Sequence, residues 1–378
     1  MGAGDKIVKK VGELKDTAAQ AAGRLTGIMR SGRRSPTSGQ KDTSDIISLS
    51  SWMGDLPDDA LVTALSIPGT HDSGCIDGPV GFAKTQNLDI AEQLNAGIRF
   101  LDIRLAHYQN DLHVHHDVVY MGKSYKDVLR ICAEFLGRHP SETIMMSVKE
   151  EERFDAPLGD FAPSEVLSRL LRGELESRGN SRSFDDEFEY QTWRQLKSAP
   201  PFYNYADPAV AGGRPVMTAP TLTSATTLGD VRGRIILLRR FQGEDGVGFD
   251  VTYWLDNAAT RSSEDERGNP RTAAPPIYSI EDHYNNPDDK YDLAIAHIEK
   301  AMKGDPEDLY ITFSSAVTLR ASGHSETINP RLSDYLAASP QGRVGIVAMD
   351  YFEEPRELVS HVITTNFRTG ATSGAKSG

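Results

Sequence analysis

The chain has 378 residues, 38% of them hydrophobic and 25% charged, with a formal net charge of -13 at pH 7. That length suits one large barrel domain or two ordinary ones. No run of about eighteen apolar residues exists to span a bilayer. The acidic balance gives no support to a nucleic-acid partner, although a local basic funnel can still hold a phosphate.

Residues 1–30 read as an amphipathic helix, because Ile7, Val11, Leu14, Ala18, Ala21, Leu25 and Ile28 recur at spacings of three and four. Up to residue 35 there are eight Lys or Arg against three acids. Such a helix can lie on an anionic membrane surface, join a coiled-coil partner or pack on its own domain. It lacks the apolar core of a secretory signal, and Lys6 stands where a myristoylation pattern wants Ser or Thr. A protein without a classical signal peptide is expected, cytoplasmic or peripheral to a membrane, with a nonstandard export route left open. Residues 31–49 read as a flexible linker, 50–365 as a catalytic barrel and 366–378 as a disordered tail.

From residue 50 onward short apolar runs alternate with helical stretches. Strands are expected near Ala64 to Ile67, Ile98 to Arg104, Leu112 to His116, Ile144 to Lys149, Arg234 to Arg239, Ile277 to Glu281, Leu309 to Phe313 and Val344 to Asp350. The stripe Val128, Leu129, Cys132, Phe135 and Leu136 predicts a helix over Tyr125 to Arg138. Strand, helix, strand at this spacing argues for βα units and a parallel sheet. Eight strands make a closed barrel more economical than an open doubly wound sheet, which the pattern does not exclude. Cys75 and Cys132 have no metal-ligand spacing and argue against a disulfide framework.

The charged residues fall at the ends of these strands. His71 and Asp72 follow the first, Asp102 and Arg104 end the second, and His115 and His116 end the third. Lys149, Arg239 and Arg240, Glu281 and Asp282, and Asp350 close later ones. In a barrel these ends converge on one mouth, where a ring of charges is hard to explain as packing. Within Phe100-Leu-Asp102-Ile-Arg104, a strand period of two puts Phe100, Asp102 and Arg104 on one face. A guanidinium fork suits a phosphate, and histidine exchanges protons near neutral pH. Two histidines flanking an arginine therefore suggest acid–base phosphoryl transfer. Histidines with carboxylates also suit a divalent metal, but Arg104 and Lys149 bring positive charge to the same place. Apolar loop residues at the mouth, Tyr253 and Trp254 among them, are candidates for meeting a bilayer.

The ordered motifs SIPGTHDS (66–73), FLDIR (100–104), HHD (115–117), HPSETIMMSVKEE (139–151) and GRIILLRRF (233–241) resemble the bacterial and fungal phosphatidylinositol-specific phospholipase C group, the metal-independent X-domain enzymes. The resemblance runs from about residue 50 to about residue 365. It implies a distorted TIM-type (β/α) barrel, here with an N-terminal helical extension. It also implies cleavage of phosphatidylinositol, or its glycosylated forms, to diacylglycerol and inositol 1,2-cyclic phosphate by a monomeric enzyme at a membrane surface. By the same resemblance His71 is the general base on the inositol 2-hydroxyl, His116 the general acid and Arg104 the phosphate clamp. Asp72 partners the acid, Asp350 partners the base, and Lys149, Arg240, Asp282 and Tyr284 line the inositol pocket, with Asp102 as structural support. No cofactor is implied. The alternative is calcium, used by relatives that carry Asn in place of Asp72 and an acidic ligand in place of Arg104. Asp117 departs from the small glycine that usually follows the acid, and His115 competes with His116 if the strand slips by one residue. The rival readings are another glycerophosphodiester phosphodiesterase and a non-catalytic inositol-lipid binding module.

Overall fold

The computed structural model describes residues 48–76, 84–108, 111–116, 119–151, 222–241, 248–265, 267–273, 275–285, 288–316, 321–338 and 342–368. The expected helix over 1–30, nearly all of the linker, Asp117 and the tail beyond residue 368 lie outside them.

In chain order the strands are β1 (Ile67–Thr70), β2 (Phe100–Tyr108), β3 (Asp111–His116), β4 (Val119–Ser124), β5 (Ile144–Glu150), β6 (Ile235–Arg240), β7 (Phe249–Asp250), β8 (Ala259–Arg261), β9 (Tyr278–Glu281), β10 (Leu309–Phe313) and β11 (Ile346–Met349). The helices are α1 (Ile90–Asn95), α2 (Tyr125–Arg138), α3 (Leu228–Val231), α4 (Lys290–Lys303), α5 (Ala321–Ala337) and α6 (Leu358–Thr364). The sheet runs β7-β6-β5-β2-β1-β11-β10-β9-β8. Every neighbouring pair from β7 to β9 is parallel, and β8 lies antiparallel against β9. This is a distorted (β/α) barrel. Among the described residues its sheet does not close by backbone pairing. Phe249 on β7 and Tyr278 on β9 meet edge to face instead, ring centroids 6.0 Å apart.

Register determines what fills the interior. Arg104 pairs with Lys149 and Lys149 with Arg240; one layer down, Asp102 pairs with Ser147 and Ser147 with Leu238; below that, Phe100 pairs with Met145 and Met145 with Ile236. Side chains in register share a face, so these are three stacked layers, apolar at the bottom and cationic at the top. Gly69 on β1 pairs with Phe100, and a Cβ there would lie 2.7 Å from the Phe100 ring. The glycine is what lets that ring cross the barrel.

Two expected strands moved. The first begins at Ile67, after a short 3-10 turn over Val62–Ala64, so Pro68 and Gly69 lie inside the strand. The third expected strand is not a stave of the barrel. Only two residues separate β2 from β3, whereas a parallel crossover needs about a dozen. β3 therefore folds back antiparallel on β2 and pairs onward with β4 as a hairpin at the mouth. The barrel's further parallel strand is the short β7.

Helix α2 begins at a capping box in which the Ser124 hydroxyl accepts from Asp127 N and the Asp127 carboxylate accepts from Ser124 N. Val128, Leu129, Cys132, Phe135 and Leu136 are all buried. Each of the larger ones contributes about 1.5–3 kcal/mol by leaving water. At the opposite, N-terminal end of the barrel, Arg99 donates to Glu142 Oε2 (2.8 and 3.0 Å) and to the carbonyls of Leu94, Ile98 and Ser50. Glu142 accepts in turn from Met53 N and Gly54 N, both at 3.2 Å. Thr365–Phe367 form a 3-10 turn, and the Asn366 side chain pairs with the backbone of Ser66.

Candidate active site

The site lies where β1, β2, β5, β6, β9 and β11 end. β1 and β11 are parallel neighbours, and the residue after each strand carries a functional side chain: His71 after β1 and Asp350 after β11. The next residue in each case, Asp72 and Tyr351, has positive φ (43° and 44°). Left-handed backbone is costly for non-glycine residues, least so for Asp. The paired turns aim His71 and Asp350 at each other, with Nδ1 donating to Asp350 Oδ1 at 2.8 Å. Ser73 anchors the first turn to β2: its N–H donates to Asp102 O, and its hydroxyl accepts from Asp102 N.

Arg104 reaches in from β2. Its Nη2 lies 3.0 Å from His71 Nε2 and 3.4 Å from Asp102 Oδ2. Its Nε lies 2.8 Å from Asp72 Oδ1, an ion pair whose N–H is not aligned as a hydrogen bond. From the hairpin, His116 Nε2 comes within 3.2 Å of Asp72 Oδ2, the same oxygen that lies 3.3 Å from His71 Nε2. The two imidazoles are therefore no farther apart than the sum of these distances. Alternation along β3 turns His115 the other way, where it is buried beside Tyr120 with ring centroids 5.7 Å apart.

Asp102 sits beneath this group, fully buried, with Arg240 Nη1 3.8 Å from its Oδ1. Arg240 stacks on Trp254, its guanidinium carbon 3.7 Å from the ring centroid, and Trp254 Nε1 donates to Asp282 Oδ2 at 2.9 Å. Lys149 pairs with Glu151 at 3.3 Å, and Glu151 also lies 3.7 Å from Arg104 Nη1. Tyr284 is held at the rim, its hydroxyl donating to Asp256 Oδ2 at 2.6 Å.

All the residues expected at the site thus converge on one mouth, and three more join them. Glu151 was within reach of strand parity, since it shares a face with Lys149. Asp256 carried no signal. Trp254 was expected on a lipid-facing loop, but it is buried beneath Arg240, because its N–H needs the acceptor that Asp282 supplies.

The electrostatics follow from this crowding. Burial works against a charged His71, but Asp72 and Asp350, with the hydrogen bond that Nδ1 donates to Asp350, outweigh it and raise its pKa to about 9. Burial also opposes ionisation of Asp102, yet Arg104 and Arg240 hold its carboxyl below the ordinary range. Asp282 goes the other way, its pKa raised because burial outweighs Arg240 and Arg104.

One nitrogen or oxygen from each of His71, Asp72 and Asp102 lies within 4.8 Å of the others, a grouping with the donor types of a metal site. The Arg104 guanidinium contacts all three of these side chains. A hard cation such as calcium takes six to eight oxygens, and a permanent cation already placed on these donors opposes it.

Fold and site together define a (β/α) barrel that focuses two imidazoles and a guanidinium on one point at its C-terminal mouth. The family model described as phosphatidylinositol-specific phospholipase C, X domain, matches residues 67–158, the span from β1 through β5 that carries His71, Asp72, Arg104, His116 and Lys149. The 1-phosphatidylinositol phosphodiesterase of Staphylococcus aureus is 26% identical over 336 residues, covering 83% of this chain and 93% of its own. The enzyme of the same name from Listeria monocytogenes is 25% identical over 339 residues, covering 86% and 88%. A crystal structure of the S. aureus phosphatidylinositol-specific phospholipase C superposes with a TM-score of 0.65 at 24% identity, covering 84% of this chain and 97% of that one, a likeness of fold. Over residues 67–158, and by the curated relatives along most of its length, the chain is similar to phosphatidylinositol-specific phospholipases C of the X-domain type.

Proposed function

We propose that the protein cleaves phosphatidylinositol at a membrane surface to diacylglycerol and inositol 1,2-cyclic phosphate, by acid–base catalysis without a metal. Glycosylated phosphatidylinositol is a second substrate that the same chemistry accepts. The observation that carries this reading is the single carboxylate oxygen of Asp72 shared by His71 and His116, with Arg104 beside it. That spacing fits one phosphate between two proton-transfer groups.

The inositol 2-hydroxyl lies next to the phosphorus, so intramolecular attack avoids most of the entropic cost of bringing in water. Neutral His71 takes the hydroxyl proton at Nε2 while Nδ1–H stays on Asp350, which keeps the tautomer correct. Arg104 stabilises charge on the non-bridging oxygens. His116 gives its proton to the glycerol oxygen. Water then opens the cyclic phosphate with the two roles exchanged. Lys149, Arg240, Asp282 and Tyr284, with Glu151, Trp254 and Asp256, offer charged donors, acceptors and ring faces suited to a polyhydroxylated ring. No described helix is long and apolar enough to cross a membrane, and a lipid substrate brings the working enzyme to a bilayer as a peripheral, monomeric protein.

The test is release of cyclic inositol phosphate from phosphatidylinositol vesicles, with and without a strong chelator. Product formed equally in both supports the reading. Phosphatidic acid and free inositol as products would make the protein a different phosphodiesterase, no product would make it a binding module, and loss restored only by calcium would overturn metal independence.

A further inference from the structure

Between β1 and α1 the segment Lys84-Thr85-Gln86 crosses the turns that carry both His71 and Asp350. Gln86 is fully buried, and its Nε2 donates to His71 O at 2.8 Å and to Met349 O at 2.9 Å. Met349 O also accepts from His71 N at 3.0 Å. Thr85 Oγ1 donates to Asp72 O at 3.0 Å, and Thr85 O accepts from Tyr351 N at 3.0 Å. Lys84 O accepts from the Tyr351 hydroxyl at 2.6 Å. The backbone N–H groups of Thr85 and Gln86 both donate to Cys75 O, which fastens this strap to the chain just beyond the catalytic turn.

Both acceptors facing Gln86 Nε2 are carbonyls, so only the amide NH2 can meet them. Its Oε1 is buried with no hydrogen-bond donor among the described residues. Leaving such an oxygen unpaired costs about 1–3 kcal/mol. Methionine would fill the same space without that cost, so packing alone does not account for an amide here. What the amide supplies is a bridge from the residue carrying the imidazole to the residue before Asp350.

We infer that Thr85 and Gln86 are positioning residues for the His71–Asp350 pair, a strap that holds base and carboxylate in register through hydrogen bonds to both turns. The inference rests on reading that pair as the general base and its partner. His71 faces Asp72 in its own turn, Arg104 and Asp102 from β2, Asp350 from β11 and, farther off, Asp282 from β9. A shift in the turns therefore changes its titration whether or not the substrate is correctly assigned.

The decisive variant is Gln86→Met in the full chain, measured by turnover of phosphatidylinositol in detergent and by NMR titration of the His71 ring. The expected results are a kcat lower by about 10–100-fold with KM within about twofold, and a His71 midpoint moved down from about 9 toward 6.5. In an Asp350→Asn background the same change costs less than about threefold, because the pair it aligns is already broken. Gln86→Glu sets carboxylate against two carbonyls, and its activity relative to wild type at the same pH recovers as the pH falls and the acid regains a proton to donate. If Gln86→Met does not fold, Thr85→Val against Thr85→Ser is judged by the same criteria. Wild-type turnover and His71 titration in a folded variant, or losses that simply add to those of Asp350→Asn, overturn the inference. Failure of wild type to release cyclic inositol phosphate would defeat the proposed activity instead and leave the titration test standing.

Discussion

Arg99, just before β2, and Arg104, midway along it, lie five residues apart and face opposite ends of the barrel, and both meet buried carboxylates. Arg99 is completely buried and its partners are one glutamate and fixed backbone carbonyls. There burial outweighs Glu142 and lowers its pKa to about 10. Arg104 keeps a side chain 17% exposed, and its neighbours are side chains: Asp72, Asp102, Glu151 and His71. There the carboxylates outweigh burial and raise its pKa well above the ordinary value. Carbonyls of the main chain cannot give way to a ligand without unfolding, whereas a part-exposed guanidinium held by side-chain carboxylates can turn a donor to a phosphate oxygen. Saturation by backbone marks a strut, and contact with movable side chains marks a site.

The sharpest test of the upper end is removal of its proton carriers. His71→Ala and His116→Ala are each expected to lower kcat by about 10⁴-fold or more. His115→Ala, which alters the outward face of β3, should stay within about threefold, and equal mild losses for His115 and His116 would break the assignment. Next comes the same substitution made at both ends. Arg104→Lys keeps the charge but loses the fork, and should cost about 10²–10³-fold in kcat with little change in thermal midpoint. Arg99→Lys should destabilise the fold by about 2–4 kcal/mol, read by denaturant unfolding, while each folded molecule keeps its activity. Reversed outcomes would exchange the strut and the site.

Asp350→Asn is expected to cost about 10²-fold and to alter the pH profile. A base must be neutral, so wild-type kcat/KM climbs with pH toward about 9, and the variant's rise moves to lower pH because the carboxylate that favours the charged ring is gone. The smallest effect is on stability. The folded state raises the His71 pKa from 6.5 to about 9, so its contribution is complete below pH 6.5 and is lost as the pH rises through 9. Thermal midpoints in that window should decline in wild type and decline less in His71→Ala.

Much of the upper end was legible because period-two alternation is a local property. Phe100, Asp102 and Arg104 could be placed on one face from FLDIR alone, and Leu309–Phe313 and Tyr125–Arg138 are strand and helix as expected. Chain reversal was harder to read. The run Leu112 to His116 looks like any half-buried strand, and only the two-residue gap after Tyr108 shows that it must turn back. Trp254 misled because an aromatic residue on a loop suits a lipid surface and a buried cation–π stack equally well, and the choice depended on Arg240 and Asp282 arriving from distant strands. The strap at Lys84 to Gln86 had no local signature at all, since its partners are main-chain atoms that any sequence supplies.

The row Arg104, Lys149, Arg240 belongs to three hydrogen-bonded neighbours. Its pitch is consequently the inter-strand repeat, about 4.8 Å, and owes nothing to the loops around the opening. Exchange of those loops can change which headgroup is admitted while the ruler of positive charge beneath it stays the same length. The opening of the barrel can in this way change without rebuilding the cationic floor beneath it.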